Sequence, residues 1–235
     1  MGYSLKETVL KILENEGLES LEKAFKPYPP NKVVSFLIGA FLHPKEEVGW
    51  KAILSFGKLI SQIAKEDIER ARILIRRLMW MLNEESGSMP WGVSEAFAEA
   101  LYQCEILKKE YLNIFTSYIW KEGNYLEFPL AQRGVIWGVS RLAPKYKEEL
   151  YQIGTPWHIY EHLNSSDEGV KFLVIWCLTK LKPFPSNFKV SLIKIKEVLE
   201  ELIQKGYQYY LFDGQKIGWK TSSELAQEFL FIANF

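Results

Sequence analysis

Cysteine is scarce in this 235-residue chain: Cys104 and Cys177 are the only two, each inside an apolar stretch and without CxxC spacing. That excludes a disulfide framework and argues against a zinc ribbon or dithiol centre, leaving two buried thiols in a reducing compartment. Net charge is also missing. The 29 basic and 29 acidic side chains cancel, which disfavours a protein built to coat nucleic acid, though a local basic site stays open. No apolar run approaches the ~18 residues needed to cross a bilayer. The N-terminus turns charged and helical at Ser4 with no signal-type apolar core, so a cytoplasmic protein without membrane contact is expected. Glycine-rich phosphate loops, nucleophile elbows and Ser/His/Asp patterns are absent. Of three histidines, His158 and His162 share a helical face, but no third ligand accompanies them, so neither metal nor cofactor is expected.

What is present is apolar content, 48% hydrophobic and 14% aromatic, enough for a substantial core. From Ser4 to about Lys205 apolar residues recur at three and four, broken by Gly, Pro, Asn or Ser clusters. The pattern predicts helices over 4–15, 18–25, 32–42, 46–64, 67–82, 90–102, 107–120, 130–143, 146–163, 168–181 and 189–205. Alternation appears only at the end. There 207–212 and 216–220 read as strands around Asp213-Gly214, followed by a helix capped by Thr221 and Glu224. The expected fold is all-α, a right-handed α-α superhelix of about four helix pairs over 1–206, closed by a hairpin-and-helix cap over 207–235.

The helices repeat. Gly57, Ala98, Ser140 and Thr179 fall in register within similar apolar segments, at spacings of 41, 42 and 39. A period near 40 with two helices per unit marks a HEAT-type array. The stretch His43-Pro44-Lys45-Glu46-Glu47 followed by Val48-Gly49-Trp50-Lys51-Ala52, matched later by Ser166-Asp167-Glu168-Gly169-Val170-Lys171, resembles the HEAT-like repeat of the phycobilisome-lyase type. The segments Arg77–Gly87, Trp91–Ala96, Gly123–Glu127 and Leu130–Gly138 resemble an uncharacterised bacterial HEAT-repeat family, which implies a bacterial protein but carries no known activity.

The register also selects a surface. If Val48, Ala52, Phe56 and Leu59 face the core, two further ladders run along the second helices: Trp50, Trp91, Arg133, Phe172, and Leu54, Glu95, Trp137, Trp176. In a solenoid these positions line a concave groove, so Trp50, Trp91, Glu95, Arg133, Trp137 and Trp176 are candidate binding residues; the same indoles fit equally as packing between helices. A Glu95–Arg133 ion pair would satisfy both charges structurally. Long inter-helix turns supply a candidate edge, with Asn83, Glu84 and Glu85 in one and Asn124, Tyr125 and Glu127 in the other.

Trp91 with an acid four residues on (Glu95), Arg133 within Ala131-Gln132-Arg133, and Trp176 resemble the pattern of the HEAT-like alkylpurine DNA glycosylases. That resemblance implies catalytic roles for Glu95 and Arg133, the acid stabilising developing positive charge beside aromatic faces. Glu stands where the family has Asp, and the basic excess for a DNA backbone is missing. The favoured expectation is a non-catalytic helical-repeat scaffold binding a protein segment or small ligand, with the glycosylase chemistry as the alternative.

Overall fold

The computed structural model describes residues 3–84 and 91–233, the last three by backbone alone. Among them the chain is all-α apart from one two-stranded sheet, the helical-repeat class that the periodicity predicts. It divides into two compact units, one ending at Leu112 and the other beginning at Asn113.

The first unit holds α1 (Leu5–Asn15), α2 (Leu21–Phe25), α3 (Pro30–Ala40), α4 (Glu46–Glu66), α5 (Ile68–Leu82) and α6 (Val93–Gln103), and the dividing point falls within α7 (Glu105–Ser117). Ser4 and Glu7 form a capping box on α1, and Asp67 caps α5 through the Arg70 N–H. The second helices α4 and α6 pack closely because Gly57 lacks a side chain. A Cβ there would lie 2.9 Å from the Glu99 backbone. Val48, Ala52, Phe56 and Leu59, the stripe assigned to the core, are all buried.

The second unit contains α8 (Pro129–Gln152), α9 (Thr155–Glu161) with a 3₁₀ turn at His162–Asn164, α10 (Glu168–Leu181), α11 (Leu192–Gln204), β1 (Gln208–Phe212), β2 (Ile217–Thr221) and α12 (Ser222–Ala233). The expected break between helices 130–143 and 146–163 appears as a kink at Tyr146 (φ −130°, ψ 28°), just after Pro144. The full interruption comes later, at Gly154, whose φ of 80° only glycine adopts without strain. α8 packs along α10. Cys177 is buried on α10 and its thiol is pushed up to about 12 by burial, a structural rather than reactive cysteine.

β1 and β2 pair antiparallel, Phe212 opposite Ile217 and Gln208 opposite Thr221. The hairpin and α12 belong to the second unit: Trp137 Nε1 on α8 donates to the Phe212 carbonyl at 2.9 Å, and Ser222 Oγ donates to the Leu202 carbonyl on α11.

Candidate functional site

In the second unit one stripe of α8 carries Arg133, Trp137 and Arg141, four residues apart and therefore stacked on one face. β1 lies against that stripe. Trp137 is 1% exposed and holds the Phe212 carbonyl, while the Arg141 guanidinium sits 5.2 Å from the Phe212 ring. Arg133 donates through Nε and Nη2 to the two carboxylate oxygens of Asp167 at 2.8 and 2.7 Å, a bidentate pair. Asp167 also caps α10 by accepting the Val170 N–H at 2.8 Å. The Tyr209 ring lies 5.7 Å from the guanidinium and stacks on Phe172.

Gly169 makes this arrangement possible. A Cβ there would lie 2.3 Å from Arg133 Nε and 2.8 Å from the Tyr207 hydroxyl. Burial opposes the charge on both partners, but their mutual hydrogen bonds win. Arg133 is held above and Asp167 below the usual range. The counter-ion of Arg133 is therefore Asp167 rather than Glu95, and the pair clasps α8 to the start of α10 with the Tyr209 ring of β1 beside it. In the sequence Asp167 reads only as a turn residue before a helix. Its signal is an N-cap acid 34 residues after Arg133, one of two arginines on the Trp137 stripe.

Trp176 on α10 is 2% exposed, with the Lys180 ammonium 5.4 Å from its ring. Phe172 is fully buried. In the first unit Trp50 and Leu54 are buried on α4. Five of the eight ladder positions (Trp50, Leu54, Trp137, Phe172 and Trp176) thus contribute packing within their own units.

Trp91 and Glu95 differ. Trp91 is 46% exposed and sits just before Gly92, the N-cap of α6, whose φ is 73°. Gly92 packs on Phe41 and Ile53 so tightly that a Cβ would come within 2.9 Å of Phe41. The chain neighbours of this contact, Leu42 and Trp91, are both exposed apolar side chains. Glu95 stands one turn into α6, half-buried, and its carboxyl is pushed up to about 7 by burial, its own backbone N–H offsetting only part of that. Among the described residues no cation counters the burial. Of the four residues implied by the glycosylase resemblance, Trp91 and Glu95 are at a surface, Arg133 is engaged by Asp167, and Trp176 is buried.

The edge positions divide similarly. Asn83 closes α5 by donating from Nδ2 to the Met79 carbonyl, and Glu84 follows it; Glu85 lies outside the described residues. In the second unit Asn124 donates to Ser117 Oγ, Tyr125 accepts from Gln132 Nε2 and stacks on His162, and Glu127 is exposed. His158 stacks on Trp120, and His162 Nε2 lies 3.2 Å from the Ile119 carbonyl. Burial holds the His162 pKa below its usual value. Among the described residues no group of His, Cys, Asp or Glu is placed to hold a metal ion, and no helix is long and apolar enough to cross a membrane.

The chain matches no protein-family model and no curated protein. Among solved structures it is similar to an engineered protein at 11% identity (99% of this chain, 100% of that one, TM-score 0.48). A second engineered protein aligns at 15% identity over 99% and 96% of the two chains, with a TM-score of 0.43. A designed armadillo repeat protein, solved with a (KR)4 peptide, aligns at 15% identity over 96% and 100%, also with a TM-score of 0.43.

Proposed function

We propose that this protein is a non-catalytic helical-repeat binding module whose first unit uses Trp91 and Glu95 to take a positively charged side chain from a partner protein. The observation that carries this reading is an exposed indole four residues before a half-buried carboxyl that lacks a counter-ion among the described residues. An indole face attracts a cation through its quadrupole, and a partly desolvated carboxylate attracts it more strongly than one in open water. Either group alone is ordinary; together they complement Lys or Arg. Exposed Leu42 supplies apolar surface for the stem of such a side chain.

The reading predicts binding coupled to the ionisation of Glu95. With a carboxyl titrating at about 7, a ligand that meets only the ionised form binds about tenfold tighter at pH 8 than at pH 6. A short acetylated arginine-containing peptide, titrated while the Trp91 indole resonance is followed by NMR, tests this. The resonance is assigned by its loss in Trp91→Phe. Equal binding of a citrulline-substituted peptide, or an affinity independent of pH, refutes the proposal.

A further inference from the structure

The hairpin has two outer edges, and that of β1 lies against α8. Asp213 N–H donates to the Lys216 carbonyl across the turn, and Ser222 N–H donates to the Tyr207 carbonyl at the far end. Both bonds fix the ladder's parity. With the observed register, Leu211–Gly218 and Tyr209–Lys220 exchange the inter-strand bonds, whereas Gln208, Tyr210 and Phe212 on β1 and Ile217, Trp219 and Thr221 on β2 turn their backbone groups outward. On β1 the outward carbonyl of Phe212 is taken by Trp137. On β2 the N–H and C=O of Ile217 and Trp219 have no partner among the described residues. The open stretch is bounded on one side by the turn and on the other by Thr221, whose N–H is taken by Glu224.

Trp219 on this strand is 55% exposed and meets Tyr210 edge to face. A cleft of about 420 Å³ borders the strand, lined by Leu211, Gly218, Trp219, Lys220, Gln227 and Glu228. In it the Lys220 ammonium meets Glu228 Oε1, while Glu228 Oε2 is buried without a hydrogen-bond partner among the described residues. An open strand edge is a template for another strand.

We propose that β2 pairs antiparallel with β2 of a second copy of this chain, about a two-fold axis through Gly218. That register sets Ile217 of one copy opposite Trp219 of the other, so the open N–H and C=O groups of both residues are satisfied and none is left over. It also places an aromatic side chain against a β-branched one on the solvent face, a favourable cross-strand pair. On the opposite face the two Gly218 residues meet at the axis, where side chains would crowd. Lys216 of one copy falls opposite Lys220 of the other, and the Glu228 carboxylate paired with Lys220 offsets the repulsion of the two ammonium groups. The interface is isologous, as closed homodimers require.

Sedimentation velocity from micromolar to millimolar protein, with amide hydrogen exchange over the same range, tests the pairing. The wild type should pass from monomer to dimer, and the Ile217 and Trp219 amides should gain protection in step, while Gly218, bonded within the hairpin, is protected throughout. Ile217→Pro removes only an outward N–H, a substitution that edge strands accommodate. It should weaken the dimer by at least about tenfold while Gly218 stays protected. A monomer at the highest concentration with fast exchange at Ile217 and Trp219 overturns the proposal, whether or not a strand from another protein binds there. So does a dimer indifferent to Ile217→Pro.

Discussion

Replacing Glu95 by Gln keeps the shape of the side chain and removes its ionisation. In the folded protein the carboxyl titrates at about 7 because burial disfavours its charged form, against an ordinary value of 4.5. Below pH 4.5 the group is neutral in both folded and unfolded chains and adds nothing to the pH dependence. Between 4.5 and 7 the folded state binds the extra proton, so stability falls as pH rises through this window. Above 7 the full cost is present. At 1.36 kcal/mol per pKa unit the cost is about 1 kcal/mol at pH 5, about 2 at pH 6 and about 3 at pH 8. Glu95→Gln should therefore leave stability nearly unchanged at pH 4 and raise it by up to about 3 kcal/mol at pH 8. Urea unfolding of both proteins across pH 4 to 8, at constant m-value, measures the difference directly. A difference that is flat with pH, or a variant less stable than the wild type at pH 8, would show that the carboxylate has a counter-charge in solution, and the cation-binding reading would lose its basis.

Arg133→Ala should cost about 3 kcal/mol by leaving half-buried Asp167 without its fork partner, and should release β1, seen as faster exchange at Leu211 and Gly218. Gly57→Ala gains about 1 kcal/mol of helix propensity, but its Cβ meets Glu99 backbone atoms that cannot swing aside. Overpacking of about 1–3 kcal/mol should make it a net loss in chemical unfolding. Because Asp167 is held below its ordinary value of 3.8 by the Arg133 and Val170 hydrogen bonds, against the opposing effect of burial, its stabilisation is present above that value and is lost as pH falls through the depressed one. Acid should accordingly loosen the hairpin, and Asp167→Asn should flatten that acid limb.

The helices were legible in the chain because amphipathic periodicity and capping are local. Ser4 with Glu7, Asp67 before α5 and Thr221 with Glu224 each act within a single turn. The core stripe from Val48 to Leu59 followed from the same period. Gly57 marked a close approach, but not that the Glu99 backbone is what it approaches. The α8 stripe was legible as a special face and its occupant was not. Indoles at helical spacing serve equally to line a groove or to fill a core, and the pattern on one helix does not say what covers it.

Sequence alone determined the helical-repeat class, the terminal hairpin and the placing of Trp91 four residues before Glu95, since the helices and strands depend on residues a few positions apart. Tertiary structure decided the rest. The Phe212 carbonyl, 75 residues on, closes over Trp137 and makes it core, and Asp167, 34 residues on, takes Arg133 for a clasp. Among the described residues Trp91 stays 46% exposed, and no cation offsets the burial of the Glu95 carboxyl. The physical reason is range: backbone hydrogen bonding and side-chain period act within one or two turns, whereas solvent exposure and counter-charge are set by whichever distant segment packs against a face.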